Sequence, residues 1–379
     1  MNVSDNAVDL LHTMLQIYSP TGDEAALSRF LVDEMTQRGL HAWRDDVGNA
    51  IGEFGSGPPT ILLCGHMDTV PGVLPIIRAD GKLFGRGAVD AKSPLAAMVM
   101  AASKLLQAGF SGKVIVVGAV EEEGVGRGVK HLVAQGVTAD YAVFGEPSGV
   151  ENITIAYKGS LHLKLECQTK TGHASAPWLY QNAIEEVFTL YERLKAVAFA
   201  QETAGSRFYA VTSTVTKIEG GDDFSTIPST AAIHINVRIP PPLTVDAVVD
   251  QANKIVTAYQ ADNPGVAVGL EVVDSCPPYE ADKNSLLVRS LAYAIRKVRK
   301  QQGVLVRRTG SGDMNYFGSM RPIPVVTYGP GDSHLDHTPD EFVVVEEYLD
   351  SIKILCTGLQ KLRDMHLKAT SKQRASRTT

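Results

Sequence analysis

The sequence of 379 residues lacks several features that would assign it to a structural class at once. No apolar run approaches the roughly 18 residues of a membrane span. A secretory signal has Lys or Arg ahead of its apolar residues, whereas the N-terminus of this sequence has neither there. A net charge of −6 gives no broad basic field for nucleic acid. We therefore expect a soluble cytoplasmic protein that binds neither membranes nor nucleic acid.

Cysteine is also scarce. The four cysteines are widely spaced without a CxxC pair, which favours reduced thiols over a disulfide framework or a thiolate metal site. There is no GxSxG elbow and no phosphate-binding P-loop, and the glycine-rich segment 124–128 lacks the dinucleotide-binding spacing. These absences argue against a serine-nucleophile hydrolase and against a nucleotide-binding enzyme.

The composition is that of a globular protein, with 44% hydrophobic and 21% charged residues. Short apolar runs at 60–66, 113–120 and 141–144 alternate with segments of helical periodicity. Such alternation is typical of a largely parallel sheet covered by helices on both faces. In these sheets the ligand crevice lies beyond the carboxyl ends of the strands.

The pattern changes near residue 155, where segments of alternating polarity predict an antiparallel α+β domain. Later segments again suit the first sheet. We therefore predict an α/β protein whose mixed, largely parallel sheet, flanked by helices, forms a catalytic domain from 1–155 and 277–365. The inserted α+β domain is 156–276. A flexible basic tail follows at 366–379.

Imidazole or carboxylate groups follow five predicted elements. They are His66 and Asp68, Asp90, Glu121–Glu123, Glu146, and His334 with His337. Taken singly, each has a plain structural explanation: a hydrogen bond at a strand end, a helix cap, a solvated acidic turn or a surface loop. Taken together they favour a shared crevice, and such ligands suit divalent ions such as Zn, Co or Mn.

The motifs GHMDTVPG, GRGAVDAK, EEEG, FGEPSG, TGHAS and HTPDE run in the order found in the M20 family of dizinc peptidases and deacylases. The chain resembles this family over nearly its whole length. The resemblance implies that His66 and Glu123 bind one metal ion and that Glu146 and His337 bind the other. Asp90 would bridge the two ions.

The same resemblance implies catalytic roles for two further acids. Asp68 would orient His66, and Glu122 would be the general base that moves a proton from the attacking water to the leaving amine. Two departures from the family stand out: Glu121–Glu123 replaces Asp-Glu-Glu, and Asp-Ala-Lys-Ser-Pro replaces Asp-x-Lys-Gly-Gly. Family members commonly hold the peptide after the bridging Asp in cis, so we predict cis at Asp90–Ala91.

In this family the inserted domain serves as lid and dimer interface, so a homodimer is expected. His173 resembles the imidazole that reaches a neighbouring subunit's active site and stabilises the oxyanion. Arg238 resembles the lid arginine that grips a substrate carboxylate. A surface-loop histidine and a strand-surface salt bridge are the alternatives. Asp313 is expected on a loop bordering the pocket, without an assigned role.

Segments 145–149 and 152–159 resemble the LysK branch, which releases lysine or ornithine from the C-terminal glutamate of an acidic carrier protein in the last step of lysine or arginine biosynthesis. The alternatives are deacetylation of N-acetylornithine or N-acetyllysine, and a non-catalytic M20-like binding module. The native metal, the preferred amino acid and the residues that recognise its distal amine stay open. Basic residues considered for contact with the carrier are Lys158, Lys164, Lys170 and Arg207.

Overall fold

The computed structural model describes residues 3–197, 206–221 and 223–377. The chain divides into two compact units. The first unit takes Met1–Ala156, Ala281–Arg307 and Gly312–Thr379. The second takes Tyr157–Glu280 and Arg308–Ser311, so it interrupts the first along the sequence.

The regular elements are numbered in chain order. The strands are β1 (His41–Arg44), β2 (Ala50–Phe54), β3 (Thr60–His66), β4 (Ile77–Ala79), β5 (Lys82–Phe84), β6 (Lys113–Ala119), β7 (Tyr141–Gly145), β8 (Asn152–Tyr157), β9 (Gly159–Gln168), β10 (Thr212–Gly220), β11 (Thr230–Ile239), β12 (Ala267–Cys276), β13 (Tyr279–Glu280), β14 (Val304–Arg308), β15 (Val325–Thr327) and β16 (Phe342–Val344). The helices are α1 (Val3–Gln16), α2 (Ala25–Gln37), α3 (Lys92–Gln107), α4 (Arg127–Ala134), α5 (Ala183–Val197), α6 (Val245–Asp262), α7 (Leu286–Arg299), α8 (Asp313–Met320) and α9 (Val345–Arg377).

The large sheet of the first unit runs in the order β1-β2-β6-β3-β7-β15-β8. Its central strands are parallel: β3 pairs with β6 and β7, and β15 pairs with β7. Strand β2 pairs antiparallel with β6, and β15 pairs antiparallel with β8. The predicted mixed, largely parallel sheet is confirmed. The carboxyl ends of four neighbouring strands therefore meet at one edge.

Burial explains the apolar runs. Strand β7 is buried at every residue, and β3 and β6 at all but the first. Helix α3 is buried on almost all sides because it packs against β3, α1 and α9. A strand or helix that is apolar on all faces is stable only in such an interior position. No described helix is both long and apolar enough to cross a membrane.

The last helix differs from the sequence prediction. The segment 366–379 was expected to form a flexible tail, but α9 continues through 366–377, and residues 378–379 lie outside the described part. This segment has no Gly or Pro that would end a helix. His366 also contacts the sheet, with its Nδ1 3.1 Å from the hydroxyl of Tyr141.

The second unit contains an antiparallel sheet in the order β10-β11-β9-β12. Every second residue of β9 from Leu161 to Cys167 is buried in a core shared with residues of α5 and α6. This alternation of period two is the pattern that predicted antiparallel strands. A small sheet of order β16-β5-β4 completes the architecture of the first unit.

Candidate metal centre

The predicted ligands of the first unit lie together at the carboxyl edge of its large sheet. His66 ends β3, Glu122 and Glu123 follow β6, and Glu146 follows β7. Within one group, donor atoms of His66, Glu122 and Glu146 all lie within 4.8 Å of one another. Within a second group, the same holds for Asp90, Glu123 and His337.

Asp90 lies between the two imidazoles. Its Oδ1 is 3.1 Å from Nε2 of His66, and its Oδ2 is 3.1 Å from Nε2 of His337. His337 Nε2 is also 2.8 Å from Glu123, and His66 Nε2 is 3.7 Å from Glu146. The structure therefore pairs His66 with Glu146 and His337 with Glu123. The pairing implied by the family resemblance, His66 with Glu123, is corrected.

Strand register explains this pairing. Gly65 of β3 lies opposite Gly145 of β7, so the residues that follow them, His66 and Glu146, are neighbours. Glu123 instead lies on the turn beyond β6, where His337 reaches it. The peptide bond Asp90–Ala91 is cis, as predicted.

The acidic run has a defined register. Glu121 adopts a positive φ of 59°, and its carboxylate pairs with Arg127 at 2.8 Å. The amide groups of Glu122 and Glu123 each donate a 3.0 Å hydrogen bond to the carboxylate of Asp68. Glu122 and Glu123 thus belong to the cluster, and Glu121 does not.

Asp68 is fully buried and serves two segments at once. Its main-chain carbonyl oxygen lies 2.9 Å from Nδ1 of His66, whereas its carboxylate is 3.5 Å away. The carboxylate also accepts a hydrogen bond from Thr21. Burial alone would raise the pKa of the Asp68 carboxyl group, but the neighbouring His66 imidazole and the amide donors lower it. Asp68 thus contacts His66 most closely through its main-chain carbonyl oxygen, and its side chain accepts the amide hydrogen bonds of the acidic turn.

Crowded carboxylates dominate the electrostatics. Burial and the nearby charge of Glu146 raise the pKa of Glu122 well above its usual value. Burial and the charge of Asp90 raise the pKa of Glu123 to about 7. Burial would also raise the pKa of Asp90, but hydrogen bonds from His337 and His66 hold it low.

This donor set fits divalent cations. It combines carboxylate oxygens and imidazole nitrogens, without thiolates, at a partly buried place where the acids repel one another. A cation offsets that repulsion and favours the ionised form of each acid. Among the described residues of the two groups, Asp90 has a carboxylate that lies against both imidazoles.

A residue that the sequence argument missed supports Asp90. Glu341 is only 1% exposed. Its carboxylate accepts hydrogen bonds from the amides of Val89 and Asp90 at 2.9 and 3.1 Å, and pairs with Arg86 at 2.8 Å. Glu341 therefore connects the loop of Asp90 to the segment of His337. It is the last residue of the HTPDE motif, and its place in that motif is the sequence feature that could have indicated its role.

Replacing Glu341 with Gln should weaken the site without removing a ligand. The neutral amide keeps the shape but loses the charge that holds Arg86 and the two amides, so metal affinity or turnover should fall about 10–100-fold. Metal titration and kcat measure this. Glu53→Gln, which breaks the outlying pair with Lys113, is the matched control and should leave both unchanged. Equal effects of the two variants would contradict the positioning role.

Asp313 differs from expectation. It was placed on a loop but is the first residue of α8, with 9% of its surface exposed. Burial raises its pKa to about 7, and the charge of Glu146 adds to the rise. Asp313 therefore interacts electrostatically with the acidic cluster, and we assign it no chemical step.

His173 and Arg238 lie in the second unit and are not members of this cluster. His173 is exposed, and its Nδ1 accepts a hydrogen bond from the amide of Ser175. Arg238 lies on β11, and its Nη1 donates to Ser311 at 3.2 Å. Among the described residues no acid forms an ion pair with Arg238, so the alternative of a strand-surface salt bridge is not supported.

The fold and the ligand cluster agree with the comparison to known families. The pattern of peptidase family M20/M25/M40 matches residues 62–361. The chain belongs to this family, and it is a metal-dependent amide hydrolase.

Two related sequences and one solved structure are similar to this chain over nearly its full length. A Thermococcus kodakarensis protein, provisionally assigned as a [LysW]-lysine/[LysW]-ornithine hydrolase, is 36% identical over 361 residues, or 95% of this chain and 93% of the relative. A [LysW]-lysine hydrolase of Deinococcus radiodurans is 33% identical over 94% of this chain and 97% of the relative. The Bacillus subtilis YXEP protein, a dinuclear metal-binding M20 peptidase, shares the fold: TM-score 0.74, 13% identity, 96% of this chain and 99% of that chain.

Proposed function

We propose that this protein hydrolyses the amide joining lysine or ornithine to the C-terminal glutamate of an acidic amino-group carrier protein. The observation that carries the proposal is a ligand cluster with Glu122 in place, in a chain that matches hydrolases named for this reaction over nearly its full length. The reaction would be a late step in amino-acid biosynthesis, in the cytoplasm.

Two divalent ions would be held by the residues described above. His66 and Glu146 would bind one ion, Glu123 and His337 the other, and Asp90 both. Zinc is the first candidate, with cobalt or manganese as alternatives. Such ions, when bound, lower the pKa of a coordinated water and polarise the carbonyl oxygen of the amide.

Glu122 would then act as the general base. Its carboxylate lies beside His66 and Glu146, and burial raises its pKa, which suits a group that must both accept and return a proton. Glu122 would take the proton of the attacking water as the new C–O bond forms. It would pass that proton to the amine nitrogen as the C–N bond breaks. The carboxylate of Asp68 would hold Glu122 in place by accepting a hydrogen bond from the main-chain amide of Glu122.

The second unit would supply substrate contacts. Arg238 has a guanidinium that can grip a substrate carboxylate with two parallel hydrogen bonds. His173, exposed on its loop, would stabilise the oxyanion in the active site of a partner subunit. This role requires a homodimer, which we propose as the working form.

A substrate comparison tests the proposal. Metal-loaded protein would be offered carrier-linked lysine, carrier-linked ornithine, N-acetyllysine and N-acetylornithine, and amine release would be measured. We expect kcat/KM for a carrier-linked compound to exceed that for the acetyl compounds by at least about tenfold, which equals about 1.4 kcal/mol of transition-state stabilisation. Exclusive turnover of the acetyl compounds would instead establish the deacetylase alternative, and no turnover of any would favour a binding module.

A further inference from the structure

The second unit contains a cavity of about 620 Å³ whose wall is rich in cations. Lys158, Arg207 and Arg238 line it, together with the hydroxyl-bearing residues Thr212 and Thr309. Its volume lies within the roughly 300–1,000 Å³ typical of ligand pockets. No acidic side chain is among the described residues that line it. The cavity therefore has the chemistry of an anion site.

The three cations are held differently. Lys158 is 1% exposed, and its Nζ donates to the carbonyl oxygen of Ala210 at 2.5 Å. Arg238 is partly buried and is hydrogen-bonded to Ser311. Arg207 is exposed at the start of the short 3-10 helix Arg207–Tyr209. Two cations are thus fixed in the wall, and Arg207, which forms no ion pair with any described residue, lies exposed where it can meet a ligand at the rim.

The electrostatics favour a bound anion. Burial lowers the pKa of Lys158, and the charge of Arg238 lowers it further, so these two cations repel each other at close range. Among the described residues neither Arg207 nor Arg238 forms an ion pair with an acid. Carboxylates entering the cavity would relieve this repulsion and use the planar guanidinium groups.

We propose that this cavity recognises two or more carboxylates at the end of an acidic peptide, and that Arg207 determines the preference for such a peptide over a small acylated amino acid. The inference rests on the proposed function and extends it. A single carboxylate needs only Arg238, whereas three cations around 620 Å³ leave room and charge for a second one. Arg207 would therefore matter little for an acetylated amino acid.

Peptide binding tests this directly. A fluorescent peptide of four glutamates, which carries no cleavable lysine, would be titrated into metal-loaded protein and followed by anisotropy. Arg207→Gln should raise the Kd about tenfold, the loss expected for one charge-assisted contact. Lys254→Gln removes the same charge from an exposed position of α6 outside the cavity, and should change the Kd less than about twofold.

The matched peptide of four glutamines with an amidated C-terminus carries no carboxylate, and it should bind the wild-type and Arg207→Gln proteins equally weakly. Equal Kd values for Arg207→Gln and Lys254→Gln with the acidic peptide would overturn the inference. Because binding is measured without turnover, the two hypotheses fail separately. A protein that discriminates the peptides but never releases lysine contradicts the proposed function, whereas one that releases lysine without dependence on Arg207 contradicts the inference alone.

Discussion

Glu122→Gln should lower kcat by about 10²–10⁴-fold while leaving the bound metal in place. The amide has the size of the carboxylate but cannot accept the proton of the attacking water. Asp68 would still receive the amide hydrogen bond of residue 122, because that bond comes from the backbone. The fold and the ligands should therefore survive. Steady-state kinetics together with metal analysis of the same preparation measure both quantities.

Glu121→Gln is the matched control for this experiment. It removes a carboxylate from the adjacent position of the same acidic run, but Glu121 faces Arg127 and not the cluster. Its kcat should stay close to that of the wild type. Full activity in Glu122→Gln, or an equal loss in both variants, would show that the general base has been misassigned.

Removal of the metal should abolish turnover and also destabilise the fold. Without a cation, Glu122, Glu123 and Asp90 remain crowded in a partly buried place, where loss of solvent and mutual repulsion raise the pKa of Glu122 and Glu123. A ligand present at 1,000 times its Kd stabilises the native state by about 4 kcal/mol per site. Dialysis against a chelator should therefore lower Tm by several degrees, and adding zinc should restore both Tm and activity.

The rise in Tm on adding zinc distinguishes a metal ligand from a general base. Glu122 lies among the donor atoms of the first group, so geometry alone allows either role. If Glu122 is the base, Glu122→Gln should show the same rise in Tm with zinc as the wild type. Asp90→Asn, which alters the shared ligand, should lose most of that rise. A Tm that does not respond to zinc in the wild type would contradict a metal centre.

Much of the fold was predictable because burial leaves a pattern in the sequence. The apolar runs that became β3, β6 and β7 are buried on both faces, and the alternating run that became β9 is buried on one. Helix α8 was missed because Gly310 and Gly312, directly before it, favour a loop. The end of α9 was missed because polar composition was read as disorder, although nothing in the segment interrupts a helix.

The sequence predicted which imidazoles and carboxylates lie together, but not how they pair. His66, Glu146 and their neighbours are marked by strand ends and motif resemblance, which require no coordinates. The pairing of imidazoles with carboxylates depends on strand order and register, and neither can be read from the sequence. Glu341 was missed for the same reason, since its partner Asp90 lies some 250 positions away in the chain.

Anomalous scattering from crystals grown with zinc would show whether two cations share Asp90. We expect two peaks roughly 3.5–4 Å apart, one beside His66 and Glu146 and the other beside Glu123 and His337, with Asp90 contacting both. A single peak, or none, in crystals of a preparation that turns over substrate would contradict this expectation.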